Sequence, residues 1–318
     1  MKKVTLGSTK LSVSKICFGT MTFAAQADKQ TSHNLYSHCR EAGINFFDCA
    51  DVYAAGETES YLGECIKGDR ENIILTSKVG GRMWEGSDGA GLGAPHITAA
   101  CEATLKRLGT DYLDIYIVHL FDKATPIETS IAALDKLKKS GKITHLGVSN
   151  WAAWQIAKAH GISNLNSLAR FEVLQPMYSL IKRQVEVELL PMAQDANMGV
   201  ISYNPLGGGV LTGKYGKDIE SGAGRISGDI GYSKRYGEPW MLNCATELCE
   251  IADEIGCHPA TLAVAWVMHN PAITAPIVGA RNVDQLKDTL QAAALTIDET
   301  IYERLSALTP KVPRATDH

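Results

Sequence analysis

Asp48, Tyr53, Lys78 and His119 are the residues of this sequence whose types and places could do chemistry. Asp48 closes the apolar stretch GINFFD, and Tyr53 follows a few residues later in DCADVY. Lys78 ends NIILTSK, and His119 ends DYLDIYIVH. Burying a titratable side chain is costly, so apolar runs that each end in one suggest strand ends converging on a site. A phenol donates a proton poorly near neutral pH, its ordinary pKa being about 10. An ammonium beside it favours the phenolate and lowers that value. Lys78 can supply this charge, Asp48 can hold Lys78 charged and in place, and a neutral His119 can orient a substrate oxygen. The set suits protonation of a carbonyl oxygen or deprotonation of an alcohol. The hydride for that chemistry has to come from a cofactor.

Singly, each residue has a plainer reading. An Asp after a strand commonly closes a turn. Tyr53 could be an ordinary surface residue, Lys78 a solvated charge and His119 a satisfied core histidine. Their joint placement at strand ends favours chemistry.

The elements that must position them alternate. A short hairpin (MKKVTL, LSVSKI) precedes the apolar runs ICFG, INFFD, IILTSK, LDIYIVH, ITHLGVS, FEVLQ, GVISYN and TAPIVG. Amphipathic stretches lie between them. SHNLYSHCREAG, ITAACEATLKRLG and IETSIAALDKLKKSG end on the helix-stopping Gly43, Gly109 and Gly141. EVELLPMAQDANMG is broken or kinked by Pro191. Near-continuous apolar strands alternating with helices imply a parallel sheet covered by helices. The units predict a single α/β domain over 1–318: a (β/α)8 TIM barrel with a short N-terminal β-hairpin and C-terminal helices. A doubly wound sheet should carry G-x-G-x-x-G after its first strand, and ICFGTMTF does not. The segment 214–239, rich in Gly, Ser and charge, reads as a functional, mobile loop.

Composition excludes other classes. The 318 residues are 45% hydrophobic and 21% charged, with a net charge of -4. This balance suggests neither a nucleic-acid nor a membrane surface. The N-terminus lacks the apolar core of a signal peptide, and no segment is long and apolar enough to span a bilayer. None of the eight cysteines forms a C-x-x-C pair, so buried free thiols are expected rather than a disulfide frame or a metal site. A cytoplasmic protein is expected.

The ordered motifs resemble the aldo-keto reductases from end to end, closest to the bacterial-type and channel-β-like branches. FDCADVYAAGETESYLGE resembles the family's signature around its Asp and Tyr, LTSKVG carries the family lysine and YLDIYIVHLFD the family histidine. The resemblance implies a barrel that binds a nicotinamide cofactor without a Rossmann domain. It makes Tyr53 the general acid/base, with Lys78 lowering its pKa, Asp48 supporting Lys78 and His119 orienting the carbonyl. Ser149 and Asn150 in GVSNW, with Gln175 in EVLQPMYSL, match residues that hold the nicotinamide carboxamide, and Tyr178 matches the ring that stacks on it.

The resemblance continues through SYNPLGGGVLTGKY, a pyrophosphate-binding loop with Asn204, Leu206, Gly208 and Lys214 as contacts. Relatives often carry Ser where Asn204 stands. Arg225 matches an arginine closing over the pyrophosphate, with Arg235 a weaker second candidate, so that 214–239 becomes a cofactor-closing lid. GARNVDQLKDTL matches the adenosine site, with Gly279, Arg281, Gln285 and Asp288 as contacts. Arg281 could pair with a 2′-phosphate, which favours NADP(H), with NAD(H) as the other option. Thr289 stands where many relatives have an Asn. Gly19, Thr20 and Met21 complete the expected cofactor contacts. Met21, Trp84 and Phe121 are the pocket candidates beside Tyr53 and His119 for a small carbonyl or alcohol substrate.

Three functions compete. An NADP(H)-dependent carbonyl reductase leads. The same site run oxidatively, on a sugar alcohol or a pyridoxal-type alcohol, comes second. A cofactor-sensing module like a channel β subunit ranks low, because the chain begins almost at the barrel hairpin. A homo-oligomer is left open.

Overall fold

A computed structural model of the chain describes residues 1–215 and 230–314. Strands β1 (Lys3–Thr5) and β2 (Ser12–Ser14) form the N-terminal antiparallel hairpin. The following strands are β3 (Cys17–Gly19), β4 (Phe46–Asp48), β5 (Ile74–Val79) and β6 (Leu113–Val118). After them come β7 (Ile143–Ser149), β8 (Phe171–Gln175), β9 (Gly199–Ser202) and β10 (Ala275–Val278). They close into a parallel barrel in the order β10-β3-β4-β5-β6-β7-β8-β9. All eight runs expected from the sequence are in it, and helices surround it.

Side chains alternate across a strand, and this period of two decides what faces the barrel axis. The inner core holds Cys17, Phe46, Ile115, Ile117, Val173, Ile201, Ala275 and Ile277. Leu6 and Val13 of the hairpin pack into the same cluster and close the N-terminal end of the barrel. Each of the buried Phe, Ile, Leu and Val side chains among them contributes about 1.5–3 kcal/mol. One step of two further along the strands come Gly19, Asp48, His119, Gln175, Tyr203 and Gly279. The packed core therefore points the polar residues at the opposite mouth, where the C-terminal strand ends lie. Register aligns them: Gly19 pairs with Asp48, Asp48 with Thr76, Lys78 with Ile117 and Ser149 with Gln175.

The outer core lies between barrel and helices and is also continuous. Helix α1 (Lys29–Glu41) starts on Asp28, whose carboxylate accepts from the Thr31 N–H at 2.8 Å. Gly43, Gly109 and Gly141 all have the left-handed φ of helix stops, 80°, 62° and 78°. The segment around Pro191 is a 3-10 turn, Gln184–Glu186, followed by a short helix, Leu189–Asp195. Pro191 falls in that helix's first turn, where its missing N–H costs no intrahelical bond.

The stretch 214–239 departs from the expected loop. Its described C-terminal part is a helix, Ile230–Tyr236, directly followed by another, Pro239–Glu254. The tyrosines at 232 and 236 explain the difference. A Cβ on Gly208 would lie 2.8 Å from the Tyr232 ring, and Tyr236 is fully buried, accepting a hydrogen bond from Asn204 Nδ2 at 3.2 Å. Arg225 lies outside the described residues.

Candidate active site

A cleft of about 550 Å³ opens at the C-terminal mouth, and Asp48, Tyr53 and His119 line it. Lys78 lies beneath them, completely buried. Its ammonium donates to Asp48 Oδ2 at 2.7 Å, to the Cys49 carbonyl at 2.6 Å and to the Tyr53 hydroxyl at 3.4 Å. That uses its three donors. Asp48 Oδ1 in turn accepts from Thr76 Oγ1 at 2.6 Å and Gln175 Nε2 at 2.8 Å. A buried ion pair is tolerable only with such satisfied geometry.

The electrostatics follow from this packing. Burial alone would depress the Lys78 ammonium, but the Asp48 carboxylate and Tyr53 outweigh it and raise its pKa above the ordinary lysine range. For Tyr53 the balance differs from expectation. Burial pushes the phenol up to about 12, and the Lys78 ammonium lowers it only part of the way back. Asp48 cancels much of the ammonium's field, so the resting phenol is a held proton rather than a phenolate. Burial, with Lys78 second, lowers His119 to about 4 and keeps its imidazole neutral. The Tyr53 and His119 rings meet edge to face, 6.2 Å between centroids.

Beyond these, Ser149, Asn150 and Gln175 line the cleft at the ends of β7 and β8. Ser149 donates to the Gln175 carbonyl at 2.8 Å, and Asn150 Nδ2 donates to the His119 carbonyl at 2.9 Å. Asn150 and Asn204 both sit in the left-handed region, φ 57° and 58°. Asn tolerates that region better than most residues, which accounts for Asn at 204.

The expected stacking ring is misplaced. Tyr178 is fully buried, tilted against Trp266 at 5.2 Å, and its hydroxyl donates to Glu186 at 2.7 Å. It faces the outer core, and an aromatic ring that does line the cleft beside Asn150 is Tyr203, whose hydroxyl donates to Asn150 Oδ1 at 2.7 Å. The signal for Tyr203 was available in the sequence: it stands two residues after the inward-facing Ile201.

The cleft then runs past Leu206, Gly208, Gly209 and Lys214, and Tyr232 and Arg235 of the 230–236 helix line it as well. It ends at Gly279, Arg281, Gln285 and Asp288. Here Asn282 caps the helix Val283–Leu290, accepting from the Gln285 N–H at 3.0 Å. The Gln285 side chain takes the Arg281 N–H at 3.1 Å. His258, unremarked in the sequence, lines this end with its Nε2 3.8 Å from Asp288 Oδ2.

Of the other expected contacts, Gly19 and Met21 line the cleft. Thr20 does not: it is buried and hydrogen-bonds the Asp48 carbonyl through its hydroxyl at 2.9 Å. Neither Trp84 nor Phe121 lines the cleft, because other rings claim them. Trp84 packs on His96 at 4.8 Å and Phe121 edge to face on Trp151 at 4.9 Å.

Comparison with known proteins agrees with this architecture. A profile of the Aldo/keto reductase family matches residues 15–309. The chain is 35% identical to an uncharacterized oxidoreductase, YrpG, of Bacillus subtilis, over 98% of this chain and 96% of that protein. It is 35% identical to a probable voltage-gated potassium channel subunit beta of Arabidopsis thaliana, over 92% of this chain and 91% of that one. It is 30% identical to norsolorinic acid reductase A of Aspergillus parasiticus, over 92% of this chain and 76% of that one. The chain belongs to the aldo/keto reductase family and is an NAD(P)H-dependent oxidoreductase.

Proposed function

We propose that this protein reduces an aldehyde, ketone or sugar carbonyl to an alcohol, reversibly, with NADP(H) preferred, and that Tyr53 is its general acid/base. One observation carries the reading. The Tyr53 hydroxyl lies at the floor of the cleft within 3.4 Å of an ammonium that Asp48 holds at 2.7 Å. A phenol held up to about 12 is protonated at neutral pH, as an acid must be before it gives a proton to a carbonyl oxygen. Lys78 then stabilises the phenolate left behind. Neutral His119 can donate a hydrogen bond to the same oxygen and orient it.

The residues present fit a dinucleotide. Gly208 and Gly209 adopt left-handed φ of 66° and 98° and carry no side chain into the cleft. Lys214, Arg235 and Arg281 bring positive charge to the cleft, as a pyrophosphate and a 2′-phosphate require. Ser149, Asn150 and Gln175 would hold the carboxamide, Tyr203 would stack on the nicotinamide, and Lys214 and Arg235, on the described parts of 214–239, would meet the phosphates. The cofactor supplies the hydride when bound. Met21, partly exposed on the cleft lining, would be a contact for the substrate. The unpaired cysteines suit a cytoplasmic protein.

The relatives named as channel β subunits favour a second reading, a cofactor-holding regulatory subunit. Fluorescence titration with NADPH and NADH, followed by a carbonyl panel, separates the two. Tight NADPH binding with turnover is the expected result. Binding without turnover of any carbonyl or alcohol would move the assignment to the regulatory subunit.

A further inference from the structure

The turn that carries Tyr53 contains a second carboxyl, Asp51, that the proposed chemistry does not use. Asp51 is completely buried, and neither of its oxygens makes a well-formed hydrogen bond among the described residues, the backbone N–H of Val52 being the one donor near enough to favour its charge. Such a group is costly as an anion. Its surroundings make it more so. Glu59, at the start of the helix Glu57–Cys65, is equally buried and already engages the nearby cation. Arg107, on the helix Ala94–Leu108, gives Glu59 Oε2 its Nε and Nη2, each at 2.7 Å. Glu59 Oε1 accepts from Ser77 at 2.5 Å, the residue before Lys78. The Lys78 ammonium is spent on Asp48, Cys49 and Tyr53. Tyr116 on β6, whose phenol the Asp51 charge pushes up, has a buried hydroxyl that is also unpartnered among the described residues.

The turn itself is strained and braced. Ala54 and Ala55 lie in the left-handed region at φ 45° and 54°, which non-glycine residues occupy at a cost. A Cβ on Gly56 would lie 2.9 Å from Arg107 Cδ, so the arginine's stem lies against the turn. Glu59 and Arg107 thus tie together the Tyr53 turn, the strand that bears Lys78 and the outer helix.

We propose that Asp51 is a positioning residue for Tyr53. In its uncharged form it lies buried in the turn that Glu59 and Arg107 brace and leaves that turn in place; ionised, it draws on the Arg107 charge that Glu59 holds and shifts the phenol away from Lys78. Its carboxyl is pushed up to about 7, by burial first and by Glu59 second, with the Val52 backbone N–H, Arg107 and Lys78 opposing only in part. Ionisation therefore falls within the working range. The consequence for rate rests on the proposed role of Tyr53; the consequence for the Tyr53 ring does not.

The test reads that ring directly. In protein labelled with ¹³C at the tyrosine ζ carbons, Tyr53→Phe assigns the Tyr53 signal. In the wild type this signal should move with a midpoint near pH 7, well below its own titration near 12. In Asp51→Asn, which matches the uncharged acid in shape, it should stay still. In Glu59→Gln the midpoint should fall to lower pH, because the like charge is gone and Arg107 is released. The wild-type rate of carbonyl reduction should fall by up to about tenfold per pH unit above the same midpoint, and Asp51→Asn should abolish that limb. Identical Tyr53 titrations in wild type and Asp51→Asn, or an unmoved midpoint in Glu59→Gln, would overturn the inference. A ring that titrates as expected in a protein that reduces no carbonyl would leave this inference standing and remove the reductase reading.

Discussion

The two ends of the cleft are built on different principles. At the inner end, Lys78, Asp48 and Gln175 are buried, and each is placed by a barrel strand whose neighbours are fixed by register. At the outer end, Arg281 and Gln285 are exposed, and they sit on a loop and a helix terminus. Charge at the inner end works in a low dielectric, where a single missing partner is expensive. Charge at the outer end is screened, and each contact is worth less. Substitutions should therefore have large, coupled effects inside and small, separable ones outside.

The largest effect is expected at Tyr53. Tyr53→Phe removes the only proton the proposed acid can give and should slow carbonyl reduction by about 10²–10⁴-fold. NADPH affinity, measured by fluorescence titration, should barely change. A mutant that kept most of its rate would show that the inner end is scaffold rather than chemistry.

Lys78→Met comes next, and it tests the coupling. It leaves the Asp48 carboxylate buried without its cation, which should cost about 3–5 kcal/mol of stability in denaturant unfolding. The double change Lys78→Met with Asp48→Asn should recover part of that loss. Additive losses instead would mean that the pair is not the unit the hydrogen bonds describe.

Asp51 gives a pH-dependent version of the same point. Its pKa is raised from 3.8 to about 7 in the folded protein. A raised folded pKa means that the stabilisation is fully present below about pH 4 and is lost as pH rises through about 7. About three units at 1.36 kcal/mol each amount to roughly 4 kcal/mol. The stability difference between wild type and Asp51→Asn should therefore drift by up to that amount from about pH 4 to 8. A flat difference would mean that Asp51 ionises as freely in the folded chain as in the unfolded one.

The same contrast explains what was legible in the sequence. Strand ends could be read because a continuous apolar run has to stop, and Asp48, Lys78 and His119 are where three of them do. The barrel followed from the alternation of such runs with glycine-stopped helices. The misassigned residues stand where local pattern does not decide. Tyr178, Trp84 and Phe121 are aromatic residues that could equally face the cleft or a neighbouring ring, and tertiary packing on Trp266, His96 and Trp151 settled it. The 230–236 helix was hidden by the polar, glycine-rich segment ahead of it, although its tyrosines pack against Gly208 and Asn204. The state of Tyr53 was out of reach for another reason: its pKa is set by the degree of burial, which no residue spacing reveals.

At the outer end, Arg281→Ala should weaken NADPH binding by about tenfold, 1.4 kcal/mol, and NADH binding by much less. Equal losses for the two cofactors would take the 2′-phosphate away from Arg281 and leave the preference for NADP(H) without its residue.

The smallest effect is expected where the two ends meet. Tyr203 donates to Asn150 Oδ1 at 2.7 Å, while Asn150 Nδ2 reaches the His119 carbonyl at 2.9 Å. Tyr203→Phe keeps the ring for stacking but removes that donor, at a cost of about 0.5–1.5 kcal/mol. If the hydroxyl serves mainly to hold the Asn150 amide toward the carboxamide, cofactor affinity should fall several-fold and the rate with saturating NADPH should hardly change. A fall in rate at unchanged affinity would instead show that the chain from Tyr203 through Asn150 to His119 belongs to the inner end, and the boundary between the two regimes would move outward by one strand.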